Sequence, residues 1–391
     1  MEHVRAASGS DDSGGQRFVF FDEIQYLRDW EVHLKSLVDG SAGVKFIASG
    51  SAAAALRLRS HESGAGRFTD FLLPPLTFHE YLHLLGKSHL IATEGEAPAQ
   101  AESALRPTVH TTTDIASLND AFIHYLNFGG YPEVIFSPAI QSDPGRFIKA
   151  DIIDKVLLRD LPGLYGIQDI QELNYLFTTL AYNTAQEVSL EQISQSSGVA
   201  KNTIKRYIEY LEAAFLLKIV HRIDRAGKRF LRANFFKVYL TNPSMRAALF
   251  SPIEASDDAV GALAETGIFS QWFHHPVPQF YARWNNGEVD IVGLDVKQKP
   301  SWAVEVKWSD RYVERPTELK SLIQFCHAND LKNVTVTSRT RFAERHVEGI
   351  TLNFVPASLY CYSVGLNLVR GKQAMATWAD VARQPSPAPE S

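Results

Sequence analysis

The hydrophobic pattern opens with four consecutive apolar residues, Phe18-Val19-Phe20-Phe21, and a second apolar run follows at Val44-Lys45-Phe46-Ile47-Ala48. Short runs of this kind predict strands, the first of them buried. Between them Leu27, Trp30, Leu34 and Leu37 recur at helical spacing. Strand, helix, strand predicts parallel pairing, because antiparallel neighbours need no crossover. Helical periodicity returns over 118–128, breaks at Gly129-Gly130-Tyr131-Pro132 and resumes through 148–180. Residues 187–194 then form a short amphipathic stretch. A turn at Ser197-Gly198-Val199 leads into a second helix with Ile204, Ile208 and Leu211 inward. Strands are expected at Leu217–Ile223 and 237–240, then a helix over 259–272 and strands framing Asp290 and Glu305. There is no internal repeat.

The intervening segments set the boundaries. Residues 1–17 are rich in Ser, Gly and Asp and are expected to be disordered. Residues 91–117, rich in Ala, Glu, Thr and Pro, read as a linker or insertion, and the tail 371–391 ends in a Pro-rich, disorder-prone run. The remainder divides into 18–90, a helical region 118–184, and units at 185–243 and 244–370. A chain of 391 residues suits two or three domains. The net charge of -5 argues against coating nucleic acid by bulk charge and leaves room for a local basic face. Cys326 and Cys361 have no metal-like spacing, and no apolar run reaches membrane-spanning length. The expectation is a cytoplasmic protein without a membrane partner.

The first strand runs directly into Asp22-Glu23. This order presents one carboxylate to a magnesium ion and the next to an attacking water, the Walker B pattern. The second strand ends in Ser49-Gly50-Ser51, where a hydroxyl can sense a γ-phosphate, and Gly66-Arg67 supplies a cation for transition-state charge. Together with Phe21-Asp22-Glu23-Ile24-Gln25, the Trp30 helix, the 73–82 run, Phe128-Gly129-Gly130-Tyr131-Pro132-Glu133 and Arg159-Asp160-Leu161, these residues resemble a prokaryotic AAA+ ATPase family. In that family the C-terminal half has no assigned function. The resemblance covers most of 18–340 and implies ATP and Mg2+ as cofactors, with Asp22, Glu23, Ser49 and Arg67 as its catalytic residues. One part of the pattern is missing. A G-x-x-x-x-G-K-[ST] loop should precede Walker B, and no such loop stands before Phe18. Gly86-Lys87-Ser88 closes a helix instead of opening one. The N-terminal unit is therefore expected to be a partial P-loop-type parallel sheet that does not bind ATP as written.

Two further constellations carry chemistry. The helix–turn–helix within 187–223 exposes Lys201, Asn202, Lys205 and Arg206, and Arg225, Lys228 and Arg229 lie in the connection between the two following strands. This is the pattern of a winged helix with a basic wing, and basic residues outnumber acidic ones over 201–237. DNA is the expected partner, and a homo-oligomer is compatible with the family. Farther on, Glu265 on a helix, Asp290 on a strand, and Glu305 with Lys307 resemble the PD-(D/E)XK nuclease fold. That resemblance implies Mg2+ or Mn2+ held by Glu265, Asp290 and Glu305, with Lys307 as helper. By contrast, His79-Glu80-Tyr81-Leu82-His83 fits H-E-x-x-H but is better explained by a Thr77/Glu80 capping box, with Leu82, Leu84 and Leu85 buried. His274-His275 reads as packing beside Trp272 and Phe273. The fold class is thus multidomain α/β: a partial P-loop sheet, a helical region with a winged helix, and a PD-(D/E)XK-like C-terminal domain. Three functions stay open: a DNA-associated AAA+-type family member without its own Walker A, a magnesium-dependent DNA nuclease, and a non-catalytic DNA-binding regulator.

Overall fold

The structure is a computed structural model and describes residues 17–41, 43–50, 69, 72–93, 110–229, 234–274 and 278–381. Two compact bodies emerge, one from Met1–Leu72 with Gly163–Gly166, the other from Leu73–Pro162 with Ile167–Ser391.

In the first body β1 (Arg17–Phe21) and β2 (Val44–Ala48) pair in parallel, Phe18 opposite Lys45 and Phe20 opposite Ile47. The crossover contains α1 (Trp30–Gly40), whose Trp30 and Leu34 pack with Ile24 against Phe21, Phe46 and Ala48. Side chains alternate across a strand, so a helix on one face leaves the other uncovered. Phe18 and Phe20 are accordingly 52% and 71% exposed, and β1 is not the buried strand its apolar run suggests. Leu27 also lies outside the helix and is exposed.

The second body begins with α2 (Phe78–Leu84). Its capping box forms as expected: the Thr77 hydroxyl accepts from the Glu80 backbone N–H, and the Thr77 backbone N–H donates to Glu80. Gly86, at φ 66°, follows the last turn, so Gly86-Lys87-Ser88 does end a helix. The buried side is Phe78, Tyr81 and Leu82; Leu84 is exposed, because the 3–4 spacing from Phe78 selects Tyr81 and Leu82 instead. Short strands β3 (Ala92–Thr93) and β4 (His110–Thr111) pair, and α3 (Ile115–Phe128) follows. After Phe128 the chain turns sharply. The Leu76 N–H donates to Gly130 O, and a Cβ on Gly130 would lie 2.0 Å from the buried Asn242 amide. The Gly-Gly-Tyr-Pro segment is therefore a packing junction that admits no side chain there.

Beyond the helix α4 (Ile170–Tyr182) come β5 (Glu187–Ser189), α5 (Leu190–Ser197), α6 (Lys201–Ala213), β6 (Leu217–Ile223) and β7 (Phe235–Leu240). Gly198 at φ 72° makes the turn between α5 and α6, and Ile204, Tyr207, Ile208 and Leu211 are buried. Helix α7 (Val260–Gln271) precedes β8 (Phe280–Trp284), β9 (Gly287–Leu294) and β10 (Pro300–Glu305). Strands β11 (Asn333–Ser338), β12 (Ala343–Val347) and β13 (Ile350–Pro356) lead into α8 (Ala357–Val381). All strands from β5 onward form one mixed sheet, ordered β12-β13-β11-β10-β9-β8-β6-β7-β5. Parallel pairing of β6 with β8, His221 opposite Phe280, joins its two parts. One face packs under α2, α3, α7 and α8, through Phe78, Phe122, Tyr125, Leu263, Ile268 and Tyr362. The other packs Phe280, Val292 and Leu352 against Phe325 of the helix Lys320–Ala328. No helix among the described residues is long and apolar enough to cross a membrane.

Candidate functional site

In the first body the structure brings Asp22, Glu23 and Ser49 together. Adjacent parallel strands end on the same edge, where open α/β sheets place their ligands. The Ser49 hydroxyl donates to Asp22 Oδ1 at 2.6 Å, and the Glu23 backbone N–H donates to the same oxygen at 3.1 Å. Backbone bonds from Ser49 N to Phe21 O and from Ile24 N to Ser49 O hold the two strand ends in register. Glu23 adopts φ 50° and ψ 44°, a left-handed conformation that costs a non-glycine residue about 1 kcal/mol. Arg67 lies outside the described residues.

In the second body Asn202, Lys205 and Arg206 all project to solvent from the first turns of α6. Lys201 is less free, since its ammonium is ion-paired to Glu191. Lys205 meets Glu209 only at 4.0 Å on the helix surface, a weak contact. Arg225, Lys228 and Arg229 are exposed on the turn after β6. Asp224 caps that turn through the N–H groups of Ala226 and Lys228, and Asn329 donates to Arg225 O. A Cβ on Gly227 would lie 2.4 Å from Pro300, so the turn is seated against the start of the interior strand β10, and Arg229 stacks 4.4 Å from the Phe280 ring. Lys237, counted in the sequence with this basic surplus, is elsewhere. Its side chain is only 2% exposed.

Lys237 enters the carboxylate cluster. Glu265 is supplied by α7, Asp290 by β9 and Glu305 by β10; the β9–β10 hairpin register sets Ile291 opposite Val304 and so brings the two carboxylates side by side. The Lys237 ammonium, from β7, lies 2.9 Å from Glu265 Oε1, 2.6 Å from Glu288 Oε1 and 3.2 Å from Asp290 Oδ1. The Tyr239 hydroxyl donates to Glu265 Oε1 at 2.6 Å. Lys307, just past the end of β10 and not within the strand, reaches back to Glu305 Oε1 at 2.7 Å and Asp290 Oδ2 at 3.6 Å. Its backbone is fixed by reciprocal hydrogen bonds with the Thr337 hydroxyl. Asp290 Oδ2 also accepts the Val306 N–H, whereas Glu305 Oε2 is buried with no hydrogen-bond partner.

Burial resists charge on all of these groups. It pushes Glu265 and Glu305 up to about 7, with the Asp290 charge adding to both shifts. At Asp290 burial is outweighed by Lys307 and Lys237, which hold its carboxyl below the usual range. Lys237 stays an ammonium: burial opposes its charge, but Glu265, Asp290 and Glu288 together raise it well above the ordinary lysine value.

All four residues expected to form a nuclease-like site thus converge, yet no set of three or more His, Cys, Asp or Glu side chains among the described residues is arranged to hold a metal ion. Two of the oxygens that would have to share Mg2+ or Mn2+, Glu265 Oε1 and Asp290 Oδ1, already share the Lys237 ammonium, and Glu305 Oε1 accepts from Lys307. Sequence reading missed Lys237, Tyr239 and Glu288. The alternation Lys237–Tyr239 on one strand face was the available signal, but only pairing with distant strands shows what that face meets. At the H-E-x-x-H segment Glu80 is engaged in the helix cap and His79 packs on the Tyr362 ring, so the capped-helix reading accounts for both. The His274 side chain and His275 lie outside the described residues.

Residues 3–82 match a family described as an AAA domain, which supports an AAA-like ATPase resemblance for the N-terminal segment. Residues 119–257 match a domain of unknown function (DUF8612). An uncharacterized protein of Haemophilus influenzae is 24% identical over 234 residues, covering 59% of this chain and 51% of the relative. Two uncharacterized proteins of Methanocaldococcus jannaschii are each 23% identical, over 284 and 221 residues; these cover 70% and 56% of this chain and 58% and 46% of the relatives. The chain thus spans about half the length of the curated relatives it matches. No solved structure matches it.

Proposed function

We propose that this chain is a DNA-associated member of an AAA-type ATPase family, contacting DNA through a winged helix at 185–243. The observation that carries the reading is the solvent-facing set Asn202, Lys205 and Arg206 on the second helix of a helix–turn–helix whose opposite side is buried. Phosphate contacts from such a face give affinity, and an amide at its N-terminal end can read a base edge. In the N-terminal body Asp22, Glu23 and Ser49 stand where such a family contacts magnesium, water and γ-phosphate, roles they would take only with a phosphate-binding loop to hold the ATP. The Ser49–Asp22 hydrogen bond supports this assignment. Fluorescence anisotropy of a labelled duplex with the full chain tests the main claim. Binding weakened by the double substitution Lys205→Ala/Arg206→Ala supports it. Unchanged affinity at low salt would reassign the helix–turn–helix to packing.

A magnesium-dependent nuclease on a PD-(D/E)XK-like scaffold is the second reading, favoured by the convergence of Glu265, Asp290, Glu305 and Lys307. Cutting of DNA that requires magnesium and is lost in Asp290→Ala would establish it. The Lys237 ammonium among these carboxylates stands against it, leaving DNA binding without cleavage as the reading we favour for this body.

A further inference from the structure

The sheet that carries the carboxylate cluster is built from two stretches of chain, and Lys237 belongs to the stretch that also contains the helix–turn–helix. Its strand β7 pairs with β5 and β6, and the ammonium reaches α7 and β9. Around it the charges are nearly balanced from within. Glu187, Glu265, Glu288, Asp290 and Glu305 face Lys237, Lys307, Arg222 and Arg283, which leaves one negative charge when every carboxyl is ionised and none when Glu265 or Glu305 holds a proton. A magnesium ion bridging Glu265 and Asp290 needs oxygens about 2.1 Å away in a near-octahedral shell, usually including waters. The position between Glu265 Oε1 and Asp290 Oδ1 already holds a nitrogen at 2.9 and 3.2 Å. Glu265 Oε1 is occupied a second time by the Tyr239 hydroxyl, and Asp290 Oδ2 by the Val306 N–H. Glu305 Oε2, buried without a hydrogen-bond partner among the described residues, is a single ligand atom and cannot make a shell alone.

We infer that Lys237 is the resident cation of this cluster, standing between Glu265 and Asp290 where a divalent ion would bind, so that the site is completed without metal. An ammonium bonded to three carboxylates is a permanent tie, and it fastens the strand of the helix–turn–helix segment to the sheet beside it. The inference rests on the cluster alone and holds whether or not the chain binds DNA.

Manganese, which reports its own coordination by electron paramagnetic resonance, is the probe. Titrated into the full chain, it should show no bound ion that depends on Asp290, and the melting temperature in magnesium should match that in chelator. In Lys237→Met the ammonium is gone and four carboxylates remain. That variant should bind manganese, stabilise by several degrees when it does, and lose both effects when Asp290→Asn is added. Manganese bound by the unsubstituted chain and released by Asp290→Asn would overturn the inference. So would a folded Lys237→Met chain that still takes no ion. Should Lys237→Met fail to fold, the comparison of the unsubstituted chain with Asp290→Asn decides the matter by itself.

Discussion

Replacing Glu305 with Gln should flatten the loss of stability with rising pH. Burial and the Asp290 charge push the Glu305 carboxyl from 4.5 up to about 7, so the folded chain holds this proton more tightly than the unfolded chain does. Stability from a carboxyl raised in this way is fully present below 4.5 and is lost as pH climbs through about 7. A displacement of that size corresponds to about 3 kcal/mol. Glu265 is raised alongside it, and Asp290, held low, works in the opposite direction. Because these groups interact, the figure describes the cluster's uptake of roughly one proton, not a sum over residues. Glutamine keeps an oxygen able to accept from Lys307 and cannot titrate. Urea unfolding followed between about pH 5 and pH 8 should show the unsubstituted chain losing stability relative to Glu305→Gln as pH rises. Parallel pH curves for the two proteins would refute the argument, since Glu305 would then carry no charge-linked cost.

If Lys205 and Arg206 each contact one phosphate, their joint replacement by Ala lowers the salt slope by about 1.8 units, so the penalty should shrink by about tenfold between 50 and 200 mM salt. Anisotropy titrations at several salt concentrations measure that slope. Thr77→Ala removes the cap of α2 and should cost about 1 kcal/mol of the second body's stability in denaturant unfolding, whereas Thr77→Ser should retain most of it. Gly130→Ala forces a methyl against the Asn242 side chain and should cost about 1–3 kcal/mol. Asn242→Gly in the same background should recover part of that loss, and a neutral Gly130→Ala would show the junction to be loose.

What could be read along the chain was whatever a few neighbouring residues decide. The Thr77/Glu80 cap, the glycine turn at 198, the inward Ile204-Ile208-Leu211 stripe and the parallel pairing of the first two strands follow from local chemistry and period. The convergence of Glu265, Asp290, Glu305 and Lys307 came from resemblance to a known site, and the fold does bring them together. Other features depend on residues far apart in sequence. Only the tertiary structure reveals that β6 lies beside β8, that the Gly-Gly-Tyr-Pro segment exists to admit Asn242, and that Phe18 and Phe20 keep one strand face exposed. Lys237 is the clearest case. In sequence it closes a basic stretch and opens a strand, but its ammonium meets Glu265 28 positions away and Asp290 53 positions away. A strand residue's partner is set by which strand lies alongside and in what register, and neither is written in the residues next to it.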